Sequence, residues 1–231
     1  MAVDTGLEIT YFGHSCFLLK WPAGPAVMTD PFDASVGYPP PDKPAEIVTC
    51  SHEHHDHNAV NRVNGHPEDL HGLTSGGKEW ATVRETVQGL GIYTVPTYHD
   101  ADGGQKRGKN AAFVFESGNL RVAHLGDLGH ALTPGQVAAL GRLDILLIPV
   151  GGFFTIDART AWDVVARLNP AVVIPMHYKT EVNADWPIAD LQPFVAGWPD
   201  VVWLGKREHQ VEVPQNMTQP AKPQVLIFAY N

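Results

Sequence analysis

Four of the chain's 12 histidines fall between positions 52 and 57, in the run Ser51-His52-Glu53-His54-His55-Asp56-His57. The spacing H-x-H-x-D-H sets His52 and His54 two apart on an extended loop, so both imidazoles can point the same way. Asp56 and His57 then turn back toward a second point. Imidazole nitrogen and carboxylate oxygen are the donors that Zn²⁺ and related first-row ions take, at roughly 2.0–2.2 Å. A solvated polar loop is the bland alternative. Placement directly after an apolar run, 46–50, weighs against it.

Two ions need further ligands, and the chain offers them in a consistent manner. His99 follows an apolar strand at 92–95 and its Pro96-Thr97-Tyr98 exit. Asp127 follows 121–126, and His177 follows 171–176. Each lies just past the C-terminal end of a strand, where open α/β sheets gather their sites. Asp30 and His14 also stand at strand exits and are read as groups supporting the ligands. His124 is read as structural, and Phe153-Phe154 as core packing in preference to a pocket wall.

The supporting elements can be read from pattern. An antiparallel meander is expected in the first thirty residues, then a proline-rich loop at 31–45 and a buried strand at 46–50. A hairpin at 82–87 and 92–95 turns through 88–91, with a helix as the competing reading. A second hairpin turns at Ser117-Gly118-Asn119. Thr133 and Gln136 fit a capping box, with Pro134 at the first helical position and Gly141 as the stop. A strand at 143–150, a helix from Ala158 to Leu168, a strand at 171–174, a helix near 188–196 and strands at 201–203 and 225–228 complete the reading. The tail at 224–231 could join the chain's own sheet or a neighbour's. One domain over 1–231 is expected.

With these residues assembled, the sequence resembles the metallo-β-lactamase superfamily. His52, His54, Asp56, His57, His99, the Gly126-Asp127 pair and His177 occur in that family's order. The segments Ile9-Thr10-Tyr11-Phe12-Gly13-His14-Ser15, His99-Asp100, Arg107-Gly108-Lys109-Asn110 and Pro175-Met176-His177-Tyr178-Lys179 resemble its branch of metal-dependent hydrolases related to ascorbate-6-phosphate lactonase. The resemblance implies an α/β fold, a four-layer αββα sandwich with the metals at one edge. It implies two divalent ions, zinc first and manganese or iron as alternatives. His52, His54 and His99 would hold one ion, Asp56, His57 and His177 the other, and Asp127 would bridge. His54 stands where the oxygen-reducing diiron branch has Glu, and Asp127 where some β-lactamases have a Cys ligand, so neither chemistry is expected.

Such a pair lowers the pKa of a shared water and orients the resulting hydroxide toward a carbonyl carbon or phosphorus. Asp56, Asp127 and His177 are the expected catalytic ligands. His130, Tyr178 and Lys179 are candidates for protonating the leaving group or holding the oxyanion. Gly103 to Lys109 nearly spells a P-loop, but a strand follows where a helix is required, which excludes ATP or GTP there. Its cations Lys106, Arg107 and Lys109 instead suggest an anionic substrate, with Arg107 and Asn110 as the preferred contacts.

Composition narrows the partners. The 231 residues carry 16 Lys+Arg against 25 Asp+Glu, a net charge of −9, which disfavours nucleic-acid coating and membrane-surface binding. Two cysteines, Cys16 and Cys50, are too few for a disulfide framework. The first eight residues lack a signal-peptide pattern, so a cytoplasmic protein is expected, and the Asn216-Met217-Thr218 acceptor is read as empty. The leading expectation is a hydrolase of a small anionic ester, lactone or phosphodiester, possible as a homo-oligomer. Nucleic-acid cleavage and a non-catalytic metal-binding role on the same fold are the alternatives.

Overall fold

The computed structural model describes residues 6–212 and 222–230. The N-terminal reading at 1–5 and the Asn216 acceptor lie outside the described residues. The chain begins with strands β1 (Gly6–Gly13), β2 (Cys16–Lys20), β3 (Ala26–Thr29), β4 (Ile47–Cys50) and β5 (Glu68–His71). It continues with β6 (Arg84–Val87), β7 (Leu90–Tyr98), β8 (Lys109–Ser117), β9 (Leu120–His124), helix α1 (Pro134–Leu140), β10 (Ile145–Pro149), α2 (Ala158–Leu168) and β11 (Val172–Met176). A short helix α3 (Gln192–Val195) and strands β12 (Val201–Trp203), β13 (Glu208–Glu212) and β14 (Gln224–Ile227) close it.

Two sheets form, ordered β13-β1-β2-β3-β4-β5 and β12-β14-β11-β10-β9-β8-β7-β6. Their facing surfaces share one apolar core. Leu7, Ile9, Phe17 and Leu19 from the first sheet meet Phe113, Phe115, Ile145 and Leu147 from the second. The outer face of the second sheet (Ala112, Val114, Leu146, Ile148) is covered by helix residues Leu140, Val164, Val165, Leu168 and Phe194. This is the expected α/β architecture, with one difference of detail. The outer face of the first sheet (Leu18, Met28, Val48) is covered by Phe32, Val36, Tyr38, Ala45 and Val63. That covering belongs to the proline-rich stretch and two single-turn 3₁₀ segments, Ala34–Val36 and Val60–Arg62. Proline lacks the N–H and the backbone freedom that an α-helix needs.

Strand polarity decides where the loops gather. β1 and β2, and β2 and β3, pair antiparallel, while β3 and β4 are parallel, so β1, β3 and β4 all point one way. In the second sheet β7, β9, β10 and β11 likewise share one direction, with β8 reversed between β7 and β9. Hence the exits of β1, β3 and β4 (His14, Asp30, His52) lie at one edge. The exits of β7, β9, β10 and β11 (His99, Asp127, Gly151, His177) lie together too, beside the entry to β8 with Arg107 and Asn110.

The hairpins at 84–98 and 109–124 form as read, with tighter turns than expected. The capping box at Thr133 and Gln136 is present, with Gly141 as the C-cap. The tail enters the chain's own sheet, β14 lying between β12 and β11. The helix expected over 188–196 is confined to Gln192–Val195. Upstream, Ala189 N–H donates to the Gly151 carbonyl and the Asp190 carboxylate accepts from Gln192 N–H, which commits that backbone to loop contacts. Strands β5 and β13 have no counterpart in the sequence reading. No helix among the described residues is long and apolar enough to cross a membrane.

Candidate metal centre

Seven candidate ligands from four strand exits meet at one place. His52, His54 and His99 form one group of donors, and Asp56, His57 and His177, joined by His14, form a second, each group within 4.8 Å. Asp127 lies between them. Its Oδ2 is 3.1 Å from His99 Nε2 and 3.2 Å from His177 Nε2, and its Oδ1 is 3.3 Å from His57 Nε2. Asp127 Oδ1 is buried without a hydrogen-bond donor. An orphaned carboxylate oxygen costs several kcal/mol unless something positive faces it. The donor set therefore fits cations. Imidazole and carboxylate are the right chemistry, and Asp127 Oδ1 keeps lone pairs that no hydrogen bond uses.

Three of the rings, His52, His57 and His99, are held from behind. Asp30, fully buried, accepts from Ser51 N–H (2.8 Å), from the Ser51 hydroxyl (2.6 Å) and from His57 Nδ1 (2.8 Å). The Ser51 oxygen in turn lies 2.9 Å from His52 Nδ1. His99 Nδ1 donates to the Phe154 carbonyl at 3.1 Å. Fixing one ring nitrogen in this way aims the other at a metal. Three of the residues sit in the left-handed backbone region: His14 (φ 55°), Asp30 (φ 41°) and His177 (φ 53°). Such conformations cost about 1–3 kcal/mol each and collect at functional sites.

The loops approach so closely that side chains are excluded. A Cβ on Gly129 would stand 2.2 Å from the His99 carbonyl carbon, and one on Gly151 2.2 Å from the His177 carbonyl oxygen. The Asp127 loop is thus sealed against the His99 exit, and Gly151 against His177.

Burial pushes the Asp127 carboxyl up, but the imidazoles of His177, His57 and His99 overcome it and hold it well below the usual carboxylate range. Asp56 follows the same logic through His57 and His14. Burial, reinforced by neighbouring imidazoles, pushes His52 and His54 down. Burial also lowers His57, but Asp127 and Asp56 outweigh it and push His57 up. Ionised carboxylates beside the lowered His52 and His54 imidazoles are the donor state that cation binding requires, whereas His57, pushed up, gives up a proton when an ion binds.

A cavity of about 470 Å³ opens onto the centre, lined by His54, His55, Asp56, His99, Arg107, Asp127, Phe154, His177, Asp185, Trp186 and Pro187. Arg107 is its single lysine or arginine, and its guanidinium carbon lies 5.6 Å and 5.5 Å from the Phe153 and Phe154 ring centres. Asp100 builds the Arg107 loop. Its carboxylate accepts from the backbone N–H groups of Asp102, Gly104, Lys106 and Arg107.

The other substrate candidates sit elsewhere. Asn110 is buried and works internally, donating to Thr97 Oγ1 and the Leu125 carbonyl and accepting from Asp127 N–H. It shapes the Asp127 loop and does not reach the cavity. His130 Nε2 accepts from Tyr98 N–H, and its Nδ1 donates to the Ala131 carbonyl. Tyr178 is buried beside Tyr11, and burial raises its phenol. Lys179 is not on the cavity wall; its N–H donates to the Ala189 carbonyl. Lys106 pairs with Asp102, and Lys109 with Glu79, and neither lines the cavity. His124 is structural as read, donating to the Ser15 carbonyl. Phe153 departs from the core reading, being 61% exposed, while Phe154 walls the cavity. Trp186 and Pro187 carried no sequence signal, because they belong to an irregular loop without periodicity. His55 also reaches the cavity, although position alone gave no reason to choose it.

Comparison with known proteins agrees with this geometry. A family model described as a beta-lactamase superfamily domain matches residues 8–177. A UPF0173 metal-dependent hydrolase of Thermoplasma acidophilum is 31% identical over 192 residues, covering 75% of this chain and 84% of that protein. A UPF0173 protein of Pyrococcus abyssi is 30% identical over the same share of each chain. A crystal structure from Thermotoga maritima, described as a Zn-dependent hydrolase of the metallo-beta-lactamase superfamily, superposes with a TM-score of 0.73. It is 36% identical, with 96% of this chain and 98% of that one covered.

Proposed function

This chain belongs to the metallo-β-lactamase superfamily and is a metal-dependent hydrolase, and on that premise we propose that it uses two divalent ions to hydrolyse a small anionic ester, lactone or phosphodiester. The observation that carries the proposal is the placement of Asp127 between two donor groups, within 3.3 Å of a histidine from each side. His52, His54 and His99 would hold one ion, Asp56, His57 and His177 the other, and Asp127 both. Zinc is the first expectation for this donor set, with manganese and iron accepting the same ligands. When bound, such a pair supplies an ionised water near neutral pH and Lewis-acid stabilisation of developing negative charge.

The chain's own groups do the rest. Asp56 reaches the cavity wall and aligns the attacking water. Arg107 offers planar, charge-assisted hydrogen bonds to the substrate's anionic end. Phe154 and Trp186 flank the reacting group and exclude bulk water. The 470 Å³ cavity suits a small molecule.

The test is hydrolysis by metal-loaded protein of a lactone, an aryl phosphodiester and a short RNA, each beside Asp127→Ala. Turnover of a small substrate, abolished in the variant, is expected. Arg107→Gln should raise KM for a carboxylated substrate about 10–100-fold, the loss of a charged hydrogen-bond pair. Preference for RNA would favour nucleic-acid processing, and no metal-dependent turnover would favour a non-catalytic metal-binding protein.

A further inference from the structure

We infer that His14 is a direct ligand of the second cation, adding an imidazole to Asp56, His57 and His177; the inference rests on the metal-binding reading above. His14 Nε2 lies 3.2 Å from Asp56 Oδ2 and 3.2 Å from His57 Nε2, and these two are 3.6 Å apart. Donor atoms that share one ion through bonds of about 2.0–2.2 Å stand roughly 2.8–3.6 Å from one another. The triangle has those edges. It repeats the 3.1 Å nitrogen–nitrogen edge between His52 Nε2 and His54 Nδ1 in the first group.

Proton accounting points the same way. His57 Nδ1 donates to Asp30, which leaves Nε2 as the ring nitrogen that can face an ion. Asp56 presents only acceptors. A proton on His14 Nε2 can serve one of these partners well, whereas a cation serves all three donors together. The backbone holds His14 in place for this task. Its carbonyl accepts from the Tyr11 hydroxyl at 3.0 Å and from His177 N–H at 2.9 Å, and its ring is fully buried 4.3 Å from the His177 ring. Residue 14 adopts φ 55° at the turn between β1 and β2, a conformation that glycine would reach more cheaply. A histidine there runs against the backbone's preference for glycine.

The competing role is positioning, with His14 donating to Asp56 from outside the coordination sphere. Cobalt(II) separates the two, because only a ring bonded to the ion gives a contact-shifted N–H proton resonance far outside the ordinary spectrum. Wild-type protein, His14→Gly and His14→Asn are loaded with Co²⁺ and compared by proton NMR, with bound cobalt counted in parallel. Both substitutions suit the left-handed backbone, and circular dichroism verifies the fold. One contact-shifted resonance fewer in both variants, with weaker binding of one equivalent, is expected. An unchanged number of such resonances would overturn the inference. Should wild-type protein bind a single cobalt, the two-ion reading fails, and loss or retention of the resonance still decides the part played by His14.

Discussion

Asp30 does not line the cavity, yet it sets the two imidazoles His57 and His52, the first directly and the second through the Ser51 hydroxyl. Removing such a supporting carboxylate typically costs 10–100-fold in metal affinity. Asp30→Asn is therefore expected to weaken binding by that range in a chelator competition titration, with the fold intact by circular dichroism. Unchanged affinity would show that His57 is oriented by its other neighbours. The ligand types and their spacing were legible in the sequence because coordination chemistry is written in residue type. The substrate contacts were less so. Asn110, His130 and Tyr178 carry suitable groups, but strand register turns them to Asp127's backbone, to Tyr98 and into the core.

The elements bring these residues together through polarity and close approach. Exits of parallel-running strands carry most of the ligands, and glycines let the loops touch. Gly129→Ala would place a methyl about where the His99 carbonyl stands. The Asp127 loop must then move away from His99, so a loss of about 1–3 kcal/mol in stability and weaker metal binding are expected. Denaturant unfolding and metal titration check both, and an alanine variant with full affinity would mean that the seal is not needed. Hairpins and caps could be read from local signals, such as Gly118-Asn119 and Thr133-Pro134. Strands β5 and β13 could not. Each is a polar edge strand with a single well-buried apolar residue, Leu70 or Val211, and β13 pairs with β1 from about 200 positions away. Helix α3 was overextended for a related reason, since its upstream residues bond to the Gly151 loop.

Across the molecule, a cluster of phenols ties the proline-rich layer to the loop after β11. Burial pushes Tyr38 up to about 12, although its hydrogen bond to Thr180 pulls the other way. The folded value lies above the ordinary tyrosine value of about 10, so this contribution to stability is fully present below pH 10 and is lost as pH rises toward 12. Burial raises Tyr11 and Tyr178 as well, which steepens the decline. Tyr38→Phe is expected to cost about 1 kcal/mol at pH 7 through the lost Thr180 bond. It should flatten the fall in stability between pH 10 and 12, measured by urea unfolding. An unaltered alkaline slope would contradict this.

Metal content, measured by elemental analysis on wild-type protein and Asp127→Ala after exhaustive dialysis against metal-free buffer, tests the central claim most directly. Two equivalents per chain in the wild type, with at most one retained in the variant, are predicted. A wild-type chain that holds none, or a variant that keeps both, would contradict a centre organised around that shared carboxylate.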